Sequence, residues 1–234
     1  MQESLKSEFY KITLNNIFRC SLIICFILTL VFGLLFSKSF VDQTIPLVEV
    51  MFILIFLTVG SIWCGEYSTG TMRYILSSRS SRIHLFGAKC FCTFLGIASI
   101  YLIYSLVIFL ITFHHHNFDG AWLPRLIYVL LLQVLIALAL SSFLILTAVI
   151  LKKYSYLTAF MLVLYLIFRW LLSSIPENDS SLLHALSYME LNYRVIASMS
   201  SNDQNLLRDI MVFVSTLVIP SLTLGIANFM KQEF

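Results

Sequence analysis

Glu66, Arg73, Arg79, Arg82 and Lys89 crowd into one stretch of this 234-residue chain, Gly65–Lys89, which reads GEYSTGTMRYILSSRSSRIHLFGAK. By residue type alone these are anchors: basic residues hold a loop at a membrane surface, and Glu66 is a solvated acid closing a helix. Gly70–Thr71 behind it can break or restart a helix, and Met72–Leu76, with Tyr74 inside it, has the apolar and aromatic content of a short one. Elsewhere chemistry-bearing residues are sparse. His114–His116 is a candidate metal tract, but no H-E-x-x-H follows it, and a polar cap on a helix is the simpler reading. No G-x-x-x-x-G-K-[ST] occurs and the eight glycines are scattered, so the chain has no motif for cradling a nucleotide's phosphates. The five cysteines, Cys20, Cys25, Cys64, Cys90 and Cys92, read as thiols within apolar segments rather than as a disulfide framework.

The elements that must position these residues are apolar helices. Six runs lack Asp, Glu, Lys and Arg: Cys20–Ser37, Val50–Gly65, Cys90–Phe118, Leu126–Leu151, Tyr154–Phe168 and Ile210–Met230. A bilayer core of ~30 Å takes about 20 apolar residues as a helix, because each backbone amide must be bonded within its own segment. Composition agrees: 59% of residues are hydrophobic, 12% are charged, and mean hydropathy is +0.92. A soluble domain carries roughly 25% charged residues. The expectation is an all-α polytopic membrane protein with six transmembrane helices. Residues 20–234 form the membrane domain, with an inner loop at 66–89 and a long outer loop at 176–209. The length outside the spans leaves no room for a soluble catalytic domain.

Orientation follows from the basic residues. With the N-terminus inside, Lys6, Lys11, Arg19, Arg73, Arg79, Arg82, Lys89, Lys152, Lys153 and Lys231 are inner, whereas Lys38, Arg125, Arg194 and Arg208 are outer. Both termini are then cytoplasmic in a multi-pass protein of the cell membrane. The net charge of +3 is set by this topology and not by a patch for nucleic acid. Leu5, Phe9, Ile12, Leu14 and Ile17 recur among Lys6, Glu8 and Lys11, the pattern of an amphipathic interfacial helix over residues 1–19 that touches membrane lipid. Lys152–Lys153 is a tight inner hairpin. In the last outer loop Leu182, Leu183, Ala185, Leu186, Met189 and Leu191 suit one or two short helices at, or dipping into, the outer interface.

Glu49 and Arg169 lie ~24–26 Å from the inner surface at 1.5 Å per residue, 17 and 16 residues beyond Glu66 and Lys153. Each can snorkel to water alone, or the two can pair across spans two and five as an outer gate. Pro220 is expected to kink the sixth span.

Glu66, Gly70, Thr71, Leu76, Ser81, Arg82 and Lys89 carry a resemblance. The stretch resembles the first cytoplasmic loop of ABC-2 type permeases, the membrane subunits of type V ABC exporters. Their pattern runs from a Glu through Gly-Thr and an apolar turn to a Pro-x-Ser-Arg-like element and a Lys. Arg79 stands where the family's proline is usual, so the turn is shaped differently here. The likeness extends over the chain: an amphipathic N-terminal helix, six spans and a long last outer loop. It implies a permease without a catalytic site of its own. Such a subunit works with a second permease, as a homo- or heterodimer, and with ABC ATPase subunits that hold ATP and Mg. Glu66, Gly70, Thr71, Met72, Tyr74, Arg79 and Arg82 would then form the coupling element. The substrate would be amphipathic or apolar: a peptide, a drug or a lipid. The residues also leave open an intramembrane protease or lipid-modifying enzyme, disfavoured because the spans supply mainly Ser, Thr and Gln133. A non-transporting immunity or anchor protein on the same scaffold stays open too.

Overall fold

The computed structural model describes residues 2–35, 40–69, 82–115, 122–174, 188–198 and 205–231. All described elements are helices, and there is no strand among the described residues. In chain order they are α1 (Gln2–Leu14), α2 (Asn16–Leu35), α3 (Phe40–Ser68), α4 (Arg82–His115), α5 (Trp122–Leu151), α6 (Tyr154–Ser174), α7 (Tyr188–Ala197) and α8 (Leu206–Met230).

Five of them contain stretches long and apolar enough to cross a membrane: Asn16–Leu35, Leu47–Ser68, Arg82–Ile111, Leu123–Leu151 and Leu206–Met230. This is a membrane-embedded helical protein. The sixth expected span corresponds to α6, whose apolar part within the described residues, Tyr154–Ile167, is shorter than a span. The helix α3 is central, with 72% of its apolar stretch buried. By contrast α2 and α8 are peripheral at 28% and 22%, and large apolar side chains such as Ile23, Ile27, Met211 and Ile219 face outward from them.

Local chemistry explains the breaks between helices. Asn15 separates α1 from α2, and its side-chain oxygen accepts from the backbone N–H groups of Ile17 (2.9 Å) and Phe18 (3.4 Å), capping the orphan amides of α2. Between α5 and α6 the chain reverses at Lys152, which takes a left-handed φ of 58°. Its N–H bonds to the Ala148 carbonyl at 2.9 Å, closing α5 in the manner of a C-terminal cap, so the expected tight hairpin forms. Gly33 lets α2 approach α4, because a Cβ there would collide with Ile111.

Two expectations are refined. The apolar residues of α1 do not share one surface: Ile12 is buried against the bundle, whereas Phe9 and Leu14 are exposed, as is Ile17 at the start of α2. The bundle-facing side also carries a carboxylate, Glu8, only 2% exposed. In the last loop, α7 is inserted among α3, α5 and α8, with Leu191, Val195 and Ile196 fully buried. Residues 175–187, which include Leu182 to Leu186, lie outside the described residues.

Candidate functional site: a charge cluster at the stem of the first long loop

Glu66 occupies the last turn of α3, where its carboxylate opposes the negative end of the helix dipole. A half-buried acid in that place needs cations, and two helices supply them. Lys89, in the second turn of α4, is almost wholly buried, and its ammonium donates to Glu66 Oε2. Lys11, from α1, donates to Glu66 Oε1 at 3.0 Å and to the buried Glu8 at 2.6 Å. Two acids and two bases thus form one chain of balanced charge across three helices. Burial works against the Lys11 ammonium, but the hydrogen bonds and charges of Glu8 and Glu66 outweigh it and hold Lys11 above the ordinary lysine range.

Lys89 has a second, apolar support. The Trp63 ring lies 5.1 Å from its ammonium, a cation–π contact in a dry setting. Trp63 precedes Glu66 by three residues, so helix geometry puts both on one face of α3. Its indole N–H donates to Thr93 Oγ1 at 3.1 Å, and its ring meets Phe86 of α4 and Phe229 of α8 at 5.4 and 6.4 Å. The cluster therefore rests on an aromatic wedge that ties α3, α4 and α8 together.

The other stem of the loop is fixed separately. Arg82 begins α4 and donates to the backbone carbonyl of Met230 at 2.9 Å, the last residue of α8. A cation on a helix's terminal carbonyls is favourable in both hydrogen bonding and dipole. Residues 70–81 are thus bracketed by Glu66, held by α1 and α4, and by Arg82, held by the end of α8. Gly70, Thr71, Met72, Tyr74, Leu76, Arg79 and Ser81 lie outside the described residues.

The remaining candidates divide similarly. Glu49 is half-buried in α3, but the side chains of Arg169, His114 and His115 and the whole of His116 lie outside what is described, so the outer pair and the metal tract are not described. Helix α8 runs on through Pro220 without interruption. All five cysteines are free, Cys20 exposed and the others buried. Among the described residues no group of three or more His, Cys, Asp or Glu could hold a metal.

Sequence reading missed the parts played by Glu8, Lys11 and Trp63. Their signal was local: Glu8 and Lys11 stand at i and i+3, as do Trp63 and Glu66, so each pair shares a face. It also missed Tyr101 of α4 and Tyr188 of α7, whose hydroxyls bond at 2.8 Å in the buried core. A second ion pair, Arg194 to the buried Asp209 at 2.8 Å, joins α7 to α8. As an arrangement, the cluster at the loop stem fixes helix ends relative to one another; it positions a loop. Comparison of the whole chain with protein-family models and with curated proteins gives no match.

Proposed function

We propose that this protein is the transmembrane permease subunit of an ATP-driven exporter, energised by a separate ATPase that docks on the loop between Glu66 and Arg82. The observation that supports it best is the way both stems of that loop are pinned, Glu66 to Lys89 and Lys11, and Arg82 to the end of α8. A loop that must pass a push from a soluble subunit into a bundle needs rigid stems, and here ion pairs join the stems to α1, α3 and α4 and a hydrogen bond joins them to α8. The resemblance of Glu66, Gly70, Thr71, Leu76, Ser81, Arg82 and Lys89 to the ABC-2 permease loop supports the same reading. So does the lack of any phosphate-cradling motif, which leaves nucleotide chemistry to another chain.

In this reading the two termini and the loop are cytoplasmic, α6 completes a sixth span, and α1 lies along the inner interface with Phe9 and Leu14 toward lipid. A second permease covers part of the outward-facing apolar surface. The transported molecule is amphipathic or apolar, because the spans offer few charges to coordinate an ion or a sugar. Arg82 acts by positioning: it ties the returning stem to α8.

The test is recovery of a complex with ATP hydrolysis. Affinity purification of the tagged chain from its own membrane is expected to bring down an ATPase whose activity depends on the loop. Met72→Asp is expected to abolish recovery of the activity at unchanged membrane abundance, since residue 72 lies outside the pinned stems. Arg82→Ala is expected to retain the complex but lower its activity severalfold. Wild-type activity in both variants would remove the loop from any coupling role.

A further inference from the structure

Where α1 runs into α2, large apolar side chains point away from the bundle. Phe9, Tyr10 and Leu14 of α1 and Ile17 at the start of α2 are 54, 65, 48 and 44% exposed, a group that a water-facing surface rarely shows together. From Ile17 the line continues along α2 as the exposed Ile24, Ile27, Val31 and Leu34, at helical spacing. Helix α2 is long and apolar enough to cross a membrane, so this outward line is its lipid-facing one. The corner between the helices is fixed on both sides: Asn15 caps α2, and Arg19 Nε donates to the Thr13 carbonyl in the last turn of α1 at 2.6 Å. The ridge on α1 is therefore held in one orientation against the head of the span.

The charges around the ridge are of one sign. Lys6 stands one turn before Phe9 and Tyr10, on their side of α1, and is exposed, as is Arg19. Of the two acids in α1, Glu3 and Glu8, the second is buried in the bundle and held by Lys11. Lysine and arginine stems can lie along apolar surface while their cations reach a phosphate. Lys11 itself points elsewhere, to Glu66 at the loop stem, and Ile12 beside it is buried in the core. One short helix thus carries an outward ridge with cations and an inward ion pair to the stem.

We propose that α1 is a lever worked by the charge of the membrane. Its ridge beds into the leaflet, Lys6 and Arg19 engage the phosphates of anionic lipid headgroups, and Lys11 passes the resulting position of α1 to Glu66. The partner is an anionic bilayer surface, chosen because the ridge continues the lipid-facing line of α2. The proposal rests on α2 crossing the membrane and not on an ATPase, so either can fail while the other stands.

The test uses the full-length protein in phosphatidylcholine nanodiscs with or without phosphatidylglycerol. A nitroxide is attached at Tyr10→Cys, with the exposed Cys20 replaced by serine and the four buried cysteines kept. It is expected to collide with oxygen more than with a water-soluble nickel chelate. Greater access for the chelate, or access for neither, would put the ridge in water or against protein and overturn the proposal. Amide exchange in α1 is expected to slow with phosphatidylglycerol, by about fivefold for each cation engaged. Lys6→Gln is expected to lose about fivefold of that protection. Exchange in the last turn of α3, residues 66–69, is expected to slow in the same lipid, and Lys11→Met is expected to abolish that dependence. Should Lys11→Met fail to accumulate because Glu8 is left buried and unpaired, Glu8→Gln with Lys11→Met removes both charges. Equal exchange of α1 in the two lipids would overturn the headgroup contact. Exchange at residues 66–69 that ignores the lipid, or that follows it without Lys11, would overturn the lever.

Discussion

Helix α4 passes through two polar regions that solve the same problem in opposite ways. Near its start, Lys89 joins Glu66, Lys11 and Glu8, where every charge meets an opposite charge. About 18 Å further on, Tyr101, Tyr104 and Tyr188 gather with no charge, held by one hydroxyl–hydroxyl bond and by ring contacts. Burying a charge demands a partner at all times, because an uncompensated ion in a low-dielectric setting costs several kcal/mol. Burying neutral hydroxyls costs less, and one hydrogen bond between them is enough. A closed charge network suits a rigid stem, and a neutral hydroxyl pair suits the seat of an inserted helix.

The comparison breaks most visibly at Glu66. Reading the sequence alone, one expects Glu66→Gln to spare folding, as a solvated acid at a helix end would. In the structure the substitution removes the counter-charge of Lys89, whose side chain is 1% exposed, and leaves it a neutral amide oxygen and the Trp63 ring. Removing one partner of such a pair is expected to destabilise by about 3–5 kcal/mol. Lys89→Met is expected to cost less, since Lys11 still meets Glu66. The double variant Glu66→Gln, Lys89→Met is expected to recover much of the loss. Thermal melts of the four purified forms decide it; additive losses would mean that the pair does not interact.

A smaller effect separates the two regions by pH. Lys11 is held above its ordinary pKa, so its contribution to folding is fully present below the unfolded-state value of ~10.4. That contribution fades as pH rises through the folded value. Hydrogen exchange across pH 9 to 12 is therefore expected to show α1 loosening first, while protection in the middle of α4 persists. Loosening of both together would mean that α1 is held by its apolar contacts instead. Because Lys11 keeps much of its solvent contact, the effect is a local one.

These regions differ in how far the sequence disclosed them. The apolar runs announced most of the helices, since segments free of charge across a bilayer's depth leave the backbone no other choice. Lys152–Lys153 marked one of the breaks, whereas the break at Asn15 falls within the stretch 1–19 that reads as a single amphipathic helix. Glu66 was legible as a helix-end acid, because it interrupts an apolar run ahead of Gly70–Thr71. Its partners were not. Lys89 is 23 residues away and Lys11 is 55, and no spacing rule joins residues on separate helices. Arg82 was legible as a cation near the loop, but its bond to Met230 spans 148 residues and depends on how α8 ends. The tyrosines were hidden for another reason: in a chain with 11 Tyr and 20 Phe, aromatic residues carry little positional signal. What distinguishes Tyr101 and Tyr188 is that α7 folds back into the bundle, which is a tertiary event.

The central claim, that the loop between the two pinned stems docks an ATPase, is tested most directly by site-specific photo-cross-linking in intact cells. A photoreactive phenylalanine analogue is placed at Tyr74 in the loop and, as the matched control, at Ser180 in the last long connection. The account predicts a nucleotide-binding chain captured from position 74 and not from position 180, with capture intact when Lys89 and Glu66 are both neutralised in a folded protein. Capture from position 180 alone, or from neither position at normal abundance, would contradict it.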